Sequence, residues 1–146
     1  MYTHVQECSL VDMASVFKTN EARSAMSDVL NQARQARTPI IERGAEHYAV
    51  TEKASLLSFL NHTVEARPQV ILEDGAYVLI IPGLPFASEA TTIDEAVDNL
   101  MLDLREYAQD WKDVYSAAPN HVENWGLVTL ISLLSDNELK EWLIDA

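Results

Sequence analysis

Apolar and polar positions follow two periods along the chain, one of helices and one of strands, and their order predicts the elements. Asn20 reads as an N-cap, Glu21 sits in a first turn where a negative charge suits the helix dipole, and Ala22, Ala25, Met26, Val29, Leu30 and Ala33 recur with helical spacing. One face of this helix is therefore built to be buried. Pro39 stops it, Ile40 and Ile41 give a short β-branched run, Arg43-Gly44 offers a turn, and Tyr48 to Val50 return as a second strand. A further helix is expected from Thr51, with Leu56, Leu57, Phe59 and Leu60 as its apolar side, and a strand from Met13 to Phe17 precedes the whole stretch.

The second half repeats the strand rhythm and then becomes helical. Val70 to Leu72 and Tyr77 to Ile81 flank Glu73-Asp74-Gly75-Ala76, which reads as a hairpin. Pro82-Gly83-Leu84-Pro85 ends the second of these strands, and Phe86 to Ala90 reads as loop. Thr92-Ile93-Asp94-Glu95 is a capping-box sequence, and the apolar positions behind it, from Ile93 through Leu100 and Leu104 to Trp111, keep helical spacing. In the tail, His121 to Leu134 is apolar on nearly every side, which predicts burial. Ser135-Asp136-Asn137-Glu138 is another capping box and opens a short last helix.

Composition narrows the class. A chain of 146 residues, 48% hydrophobic, suits one compact unit or two small ones with a packed core. Its longest apolar runs, such as Gly126 to Leu134, fall well short of the roughly 18 residues that span a bilayer. With no basic region leading into an apolar stretch at the start, no export signal is visible, and the single cysteine, Cys8, has no internal disulfide partner. Both features lead to the expectation of a cytoplasmic protein.

Charge changes the picture more. The net charge of −13 looks wrong for a DNA-binding protein, whose phosphate contacts need Lys and Arg. Its distribution is uneven, however. Residues 1–60 carry six basic against seven acidic residues, whereas residues 61–146 carry four basic against sixteen acidic. The first part is thus close to neutral, and the second would be repelled by DNA and attracted to a basic protein. The plainer alternative is that the acidic surface only confers solubility.

Residues 18–60 resemble the N-terminal domain of the Phd/YefM family of antitoxins. The resemblance is carried by Glu21-Ala22-Arg23, Leu30, the Pro39-Ile40-Ile41 strand, the Arg43-Gly44 turn, and Ala49-Val50 leading into the next helix. It implies a homodimer whose paired first helices and hairpins bind operator DNA upstream of the toxin–antitoxin genes, hence an autorepressor. The stretch from Val70 to about Asp110 is similar to the core of HicB-type antitoxins, a small degenerate ribonuclease H-like domain. Pro82, Leu84, Thr92, Glu95 and Ala96 fit its strand, proline turn and Thr-x-x-Glu-Ala helix start, while Phe86 to Ala90 replace the expected loop glycines.

These readings define the candidate residues. Arg23, expected at a helix start, and Arg43, at a hairpin tip, are the leading DNA contacts, with Lys18 and Asn20 as phosphate contacts. Surface pairing of the arginines with Glu21, Glu42 or Glu46 is the alternative. Trp111, Trp125 and Trp142 either close the core of the second domain or anchor a toxin. Common catalytic and cofactor motifs are absent, and His4, His47, His62 and His121 lack metal-ligand spacing. Asp94 and Asp98, with Asp74, could in principle hold a divalent ion, but a solvated helix face is the simpler account. No metal, cofactor, catalytic residue or membrane partner is expected.

The sequence therefore predicts an α+β antitoxin, not an enzyme. Residues 1–64 form a Phd/YefM-like dimerisation and DNA-binding domain, and residues 65–146 a small acidic, HicB-like α+β domain with C-terminal helices. Its partners would be operator DNA, a second copy, and a cognate toxin, expected to be a basic ribonuclease neutralised by occlusion. A stand-alone transcriptional regulator, or a protein-binding scaffold without a toxin, is the alternative.

Overall fold

The computed structural model describes residues 14–65 and 67–144. His4, Cys8 and the unassigned first twelve residues lie outside the described residues, as does Met13 of the expected first strand. Among the described residues fourteen elements follow one another, and the chain divides into two compact units between Leu56 and Leu57. That division lies inside the helix that the sequence-drawn boundary at 64/65 follows. The fold is mixed α+β.

In the first unit, β1 (Val16–Lys18) runs straight into α1 (Thr19–Ser24), followed by α2 (Met26–Arg34), β2 (Ile40–Arg43) and β3 (Glu46–Ala49). The sheet order is β1-β2-β3, with β1 parallel to β2 and β3 antiparallel to it. Two details depart from the expected single helix. Its start is Thr19 rather than an Asn20 cap, because the Lys18 N–H donates to the Glu21 carboxylate at 2.9 Å. It then breaks at Ala25 (φ −113°, ψ 28°), next to Ser24, whose hydroxyl donates back to the Asn20 carbonyl, a local bond that competes with regular helix.

The end also differs: α2 stops at Arg34, before Pro39 can act, and the chain turns through Ala36 and Thr38, both with positive φ. Pro39 is buried, and its carbonyl accepts the Val50 N–H at 2.9 Å. Of the expected apolar face, Ala22, Val29 and Ala33 are buried while Met26 and Leu30 stay exposed. The β2–β3 hairpin forms at the expected turn, with Gly44 at φ 61° supplying the left-handed position, but its second strand begins at Glu46, two residues before the expected Tyr48. Next comes α3 (Lys53–Thr63), of which only Leu60 is fully buried.

The second unit is a meander under a helix. β4 (Gln69–Glu73), β5 (Ala76–Ile81) and β6 (Phe86–Ala90) pair antiparallel in chain order. Asp74 (φ 48°) and Gly75 (φ 83°) are both left-handed, as a two-residue hairpin turn with two positive φ angles requires. The third strand corrects the expectation of a loop from Phe86 to Ala90. Its buried Ser88 donates to the Ala96 carbonyl at 2.6 Å, tying β6 to α4 (Ile93–Asp110). Thr92 caps α4 as expected, accepting the Glu95 N–H at 3.2 Å. Leu79 and Ile81 of β5 and Val97, Leu100 and Leu104 of α4 form the heart of the core.

After α4 the chain makes a π-helical turn at Trp111–Tyr115 and a short 3-10 turn at Val122–Asn124, then forms α5 (Trp125–Leu133) and α6 (Asp136–Ile144). The helix expected from His121 therefore begins only at Trp125, and Val122 and Trp125 are exposed rather than buried. Ser135 and Glu138 close the second capping box at 3.3 and 2.7 Å. Arg105 of α4 donates to the carbonyls of Ile131 and Leu134 at the end of α5 and to Asp136 at the start of α6. One guanidinium thus satisfies orphan carbonyls and fixes the corner between two helices. No helix among the described residues is long and apolar enough to cross a membrane.

Candidate functional site

The basic candidates of the first unit all lie on β1, α1 and the β2–β3 hairpin. Lys18 pairs with Glu42 in the parallel register, and Thr19 donates from its hydroxyl to the Glu42 carbonyl at 3.0 Å. Parallel pairing therefore brings the start of α1, with Lys18 and Asn20, beside the strand end that carries Arg43. Arg23 stands in the last turn of the six-residue α1, not at a helix start, so the expected help from first-turn N–H groups does not apply to it. It is exposed, with no hydrogen bond or ion pair among the described residues.

Arg43 is held differently. Its Nε and Nη2 lie 2.8 and 2.6 Å from the same Glu46 oxygen, and Nη2 also donates to the Tyr48 hydroxyl at 3.1 Å. The Tyr48 hydroxyl donates to Glu46 at 2.6 Å, and its ring centroid lies 5.6 Å from the guanidinium carbon. The Tyr48 hydroxyl first, and Arg43 second, hold the Glu46 carboxyl below its ordinary range. The ion pair weighed from sequence is present, and Tyr48 is the member that sequence reading passed over. Nothing in a β-strand tyrosine signals that role until the hairpin register sets it beside residue 43. On the neighbouring rung, His47 and Glu42 approach to 3.5 Å.

In the second unit the three tryptophans separate. Trp111 is buried, and its indole N–H donates to the His121 carbonyl at 2.7 Å, closing the core where α4 ends. Tyr107 and Tyr115 pack around the His121 ring, the latter stacked at 4.7 Å. Trp125 is 55% exposed on α5. Trp142 is half-buried and lines an open groove of about 580 Å³, whose apolar members include Leu57, Val64 and Leu134 and whose charged members are Glu65, Glu138 and Glu141 with Arg67.

The carboxylates considered for a metal meet a cation of the chain itself. Lys140 Nζ lies 3.2 Å from Asp98 and 3.8 Å from Asp94, bridging α6 to α4. Asp74 belongs to the β4–β5 turn. No group of three or more His, Cys, Asp or Glu with metal-binding geometry occurs among the described residues.

No curated protein matches the sequence. A crystal structure of the antitoxin part of a candidate toxin/antitoxin system from Syntrophomonas wolfei subsp. wolfei superposes with a TM-score of 0.73 at 20% identity, covering 88% of this chain and 95% of that one. At that identity the likeness is one of fold. The family model for the antitoxin of RelE/RelB toxin–antitoxin systems matches residues 13–145, and the chain belongs to that PHD-like antitoxin family.

Proposed function

We propose that this antitoxin divides its work between its two units: the first, Phd/YefM-like, dimerises and represses its own operon by binding operator DNA, and the second, HicB-like and acidic, occludes a basic ribonuclease toxin. The observation that carries this reading is the charge division. The four basic and sixteen acidic residues of the second part suit a cationic protein and oppose a phosphate backbone, whereas the near-neutral first part presents Arg23, Arg43, Lys18 and Asn20 on neighbouring elements.

Further features support it. Met26 and Leu30, one turn apart on α2, leave an apolar stripe exposed that a second copy would cover. The β4-β5-β6-α4 order supports the HicB-like reading better than two strands would. The groove beside Trp142 combines apolar members with three glutamates against one arginine, Arg67, a balance suited to an apolar segment bearing Lys or Arg. Both units carry formed elements, so toxin binding would use a surface already present rather than a segment that folds on contact.

The test uses the full chain and the toxin gene beside it. Co-expression should rescue growth, and gel shifts on the upstream promoter should show salt-dependent binding. Rescue without promoter binding would sink the repressor half; promoter binding without rescue would sink the toxin half.

A further inference from the structure

The second sheet ends in a strand that its own unit leaves bare. β4 is an outer strand of the β4-β5-β6 order, and all five of its residues are exposed. Val70, Ile71 and Leu72 put apolar side chains on both faces of that edge, at 52%, 44% and 66% exposure. Across the two-residue turn, Glu73 and Ala76 form the hydrogen-bonded pair, so the alternation along the ladder points the N–H and C=O groups of Val70 and Leu72 outward. An edge whose middle three residues, Val70 to Leu72, are apolar and whose backbone groups point outward is a template for another strand.

We propose that its occupant is β4 of a second copy, paired antiparallel about a two-fold axis at Ile71. Val70 then faces the second copy's Leu72 in a hydrogen-bonded pair on each side of the axis, and Ile71 faces its own counterpart in a non-hydrogen-bonded pair. Charge selects this partner. Two residues before the ladder begins, Arg67 comes next to the Gln69 pair with the second copy's Glu73, within reach of a long side chain, and the two-fold repeats that contact. Neither Arg67 nor Glu73 has an ion pair among the described residues. Pro68, with no N–H, and left-handed Asp74 (φ 48°) confine the ladder to residues 69–73.

The experiment is thiol cross-linking of the full chain in a Cys8→Ser background. Cα atoms of a non-hydrogen-bonded antiparallel pair lie about 4.5 Å apart, within disulfide range. With diamide taking up two electrons and two protons, Ile71→Cys should give a covalent dimer roughly 100-fold faster than Leu102→Cys, as a local concentration of about 1 mM would give over protein at about 10 μM. Leu102 is 62% exposed on α4 and serves as the control. Adding Arg67→Glu should slow the Ile71→Cys reaction, and adding Glu73→Arg to that variant should restore it. Equal rates for the two cysteines would overturn the proposal, as would a charge exchange that fails to restore the rate. Protection of Ile71→Cys from maleimide without cross-linking would overturn it too, since another occupant would then hold the edge.

Discussion

Arg43 and Glu46, at the two ends of the first hairpin turn, share one carboxylate oxygen at 2.6 and 2.8 Å, while Tyr48 donates to the same oxygen. An operator phosphate would have to compete with that carboxylate for the guanidinium. Glu46→Gln should therefore raise promoter affinity by a factor of a few, and Arg43→Ala should lower it, in parallel gel-shift titrations. Equal affinities for all three proteins would remove Arg43 from the interface.

The same cluster has a pH signature. Because the folded Glu46 carboxyl lies below its ordinary value, its contribution is fully present above that ordinary value and fades as pH falls through the depressed one. An NMR titration of the Glu46 side chain should give a low midpoint, moved upward by Tyr48→Phe. A normal midpoint in the unmodified protein would mean the three side chains do not meet in solution.

Arg23 offers the cleaner test of DNA contact, since its side chain has no hydrogen bond or ion pair among the described residues. Arg23→Ala should leave stability within about 0.5 kcal/mol, yet weaken promoter binding and flatten its salt dependence by roughly one charge. Unchanged affinity and slope would refute the assignment.

Among the tryptophans, position predicts opposite outcomes. Trp111→Ala should cost about 3–5 kcal/mol in urea denaturation, as for other large core truncations. Trp125→Ala and Trp142→Phe should be mild in stability, and any loss of toxin retention in a pull-down should come from these two. If Trp111→Ala unfolds no more easily than Trp125→Ala, the core has been misplaced.

Arg105→Met should destabilise by about 1–2 kcal/mol, because it strips a charged donor from two part-buried carbonyls. Arg105→Lys should recover little, lacking the forked geometry that reaches Ile131, Leu134 and Asp136 together. Urea midpoints of the two variants decide it; full recovery by lysine would leave only a charge effect.

What could be read in the sequence follows from where the information is local. The Thr92 and Ser135 caps, the Asp74-Gly75 and Gly44 turns and the α4 stripe are each written within a few residues, and each occurs as expected. Phe86 to Ala90 has little strand propensity of its own, with two alanines, a serine and a glutamate. It is a strand because β5 offers an edge and Ala96 a carbonyl. The Ala25 break and the α2 ending at Arg34 are likewise decided by bonds that composition does not announce. Of the candidate site, the arginines were visible as charges, but Tyr48 became part of it only through the hairpin register.

The meander of the second unit also bears on time. β4, β5, β6 and α4 each pack on the element next to them in the chain, so residues 69–110 can pair without bringing distant segments together. In the first unit β1 must wait for α1 and α2 before it meets β2 in parallel. Local contacts close sooner than distant ones. A freshly made molecule would thus complete its acidic sheet by a shorter route than its arginine-bearing one.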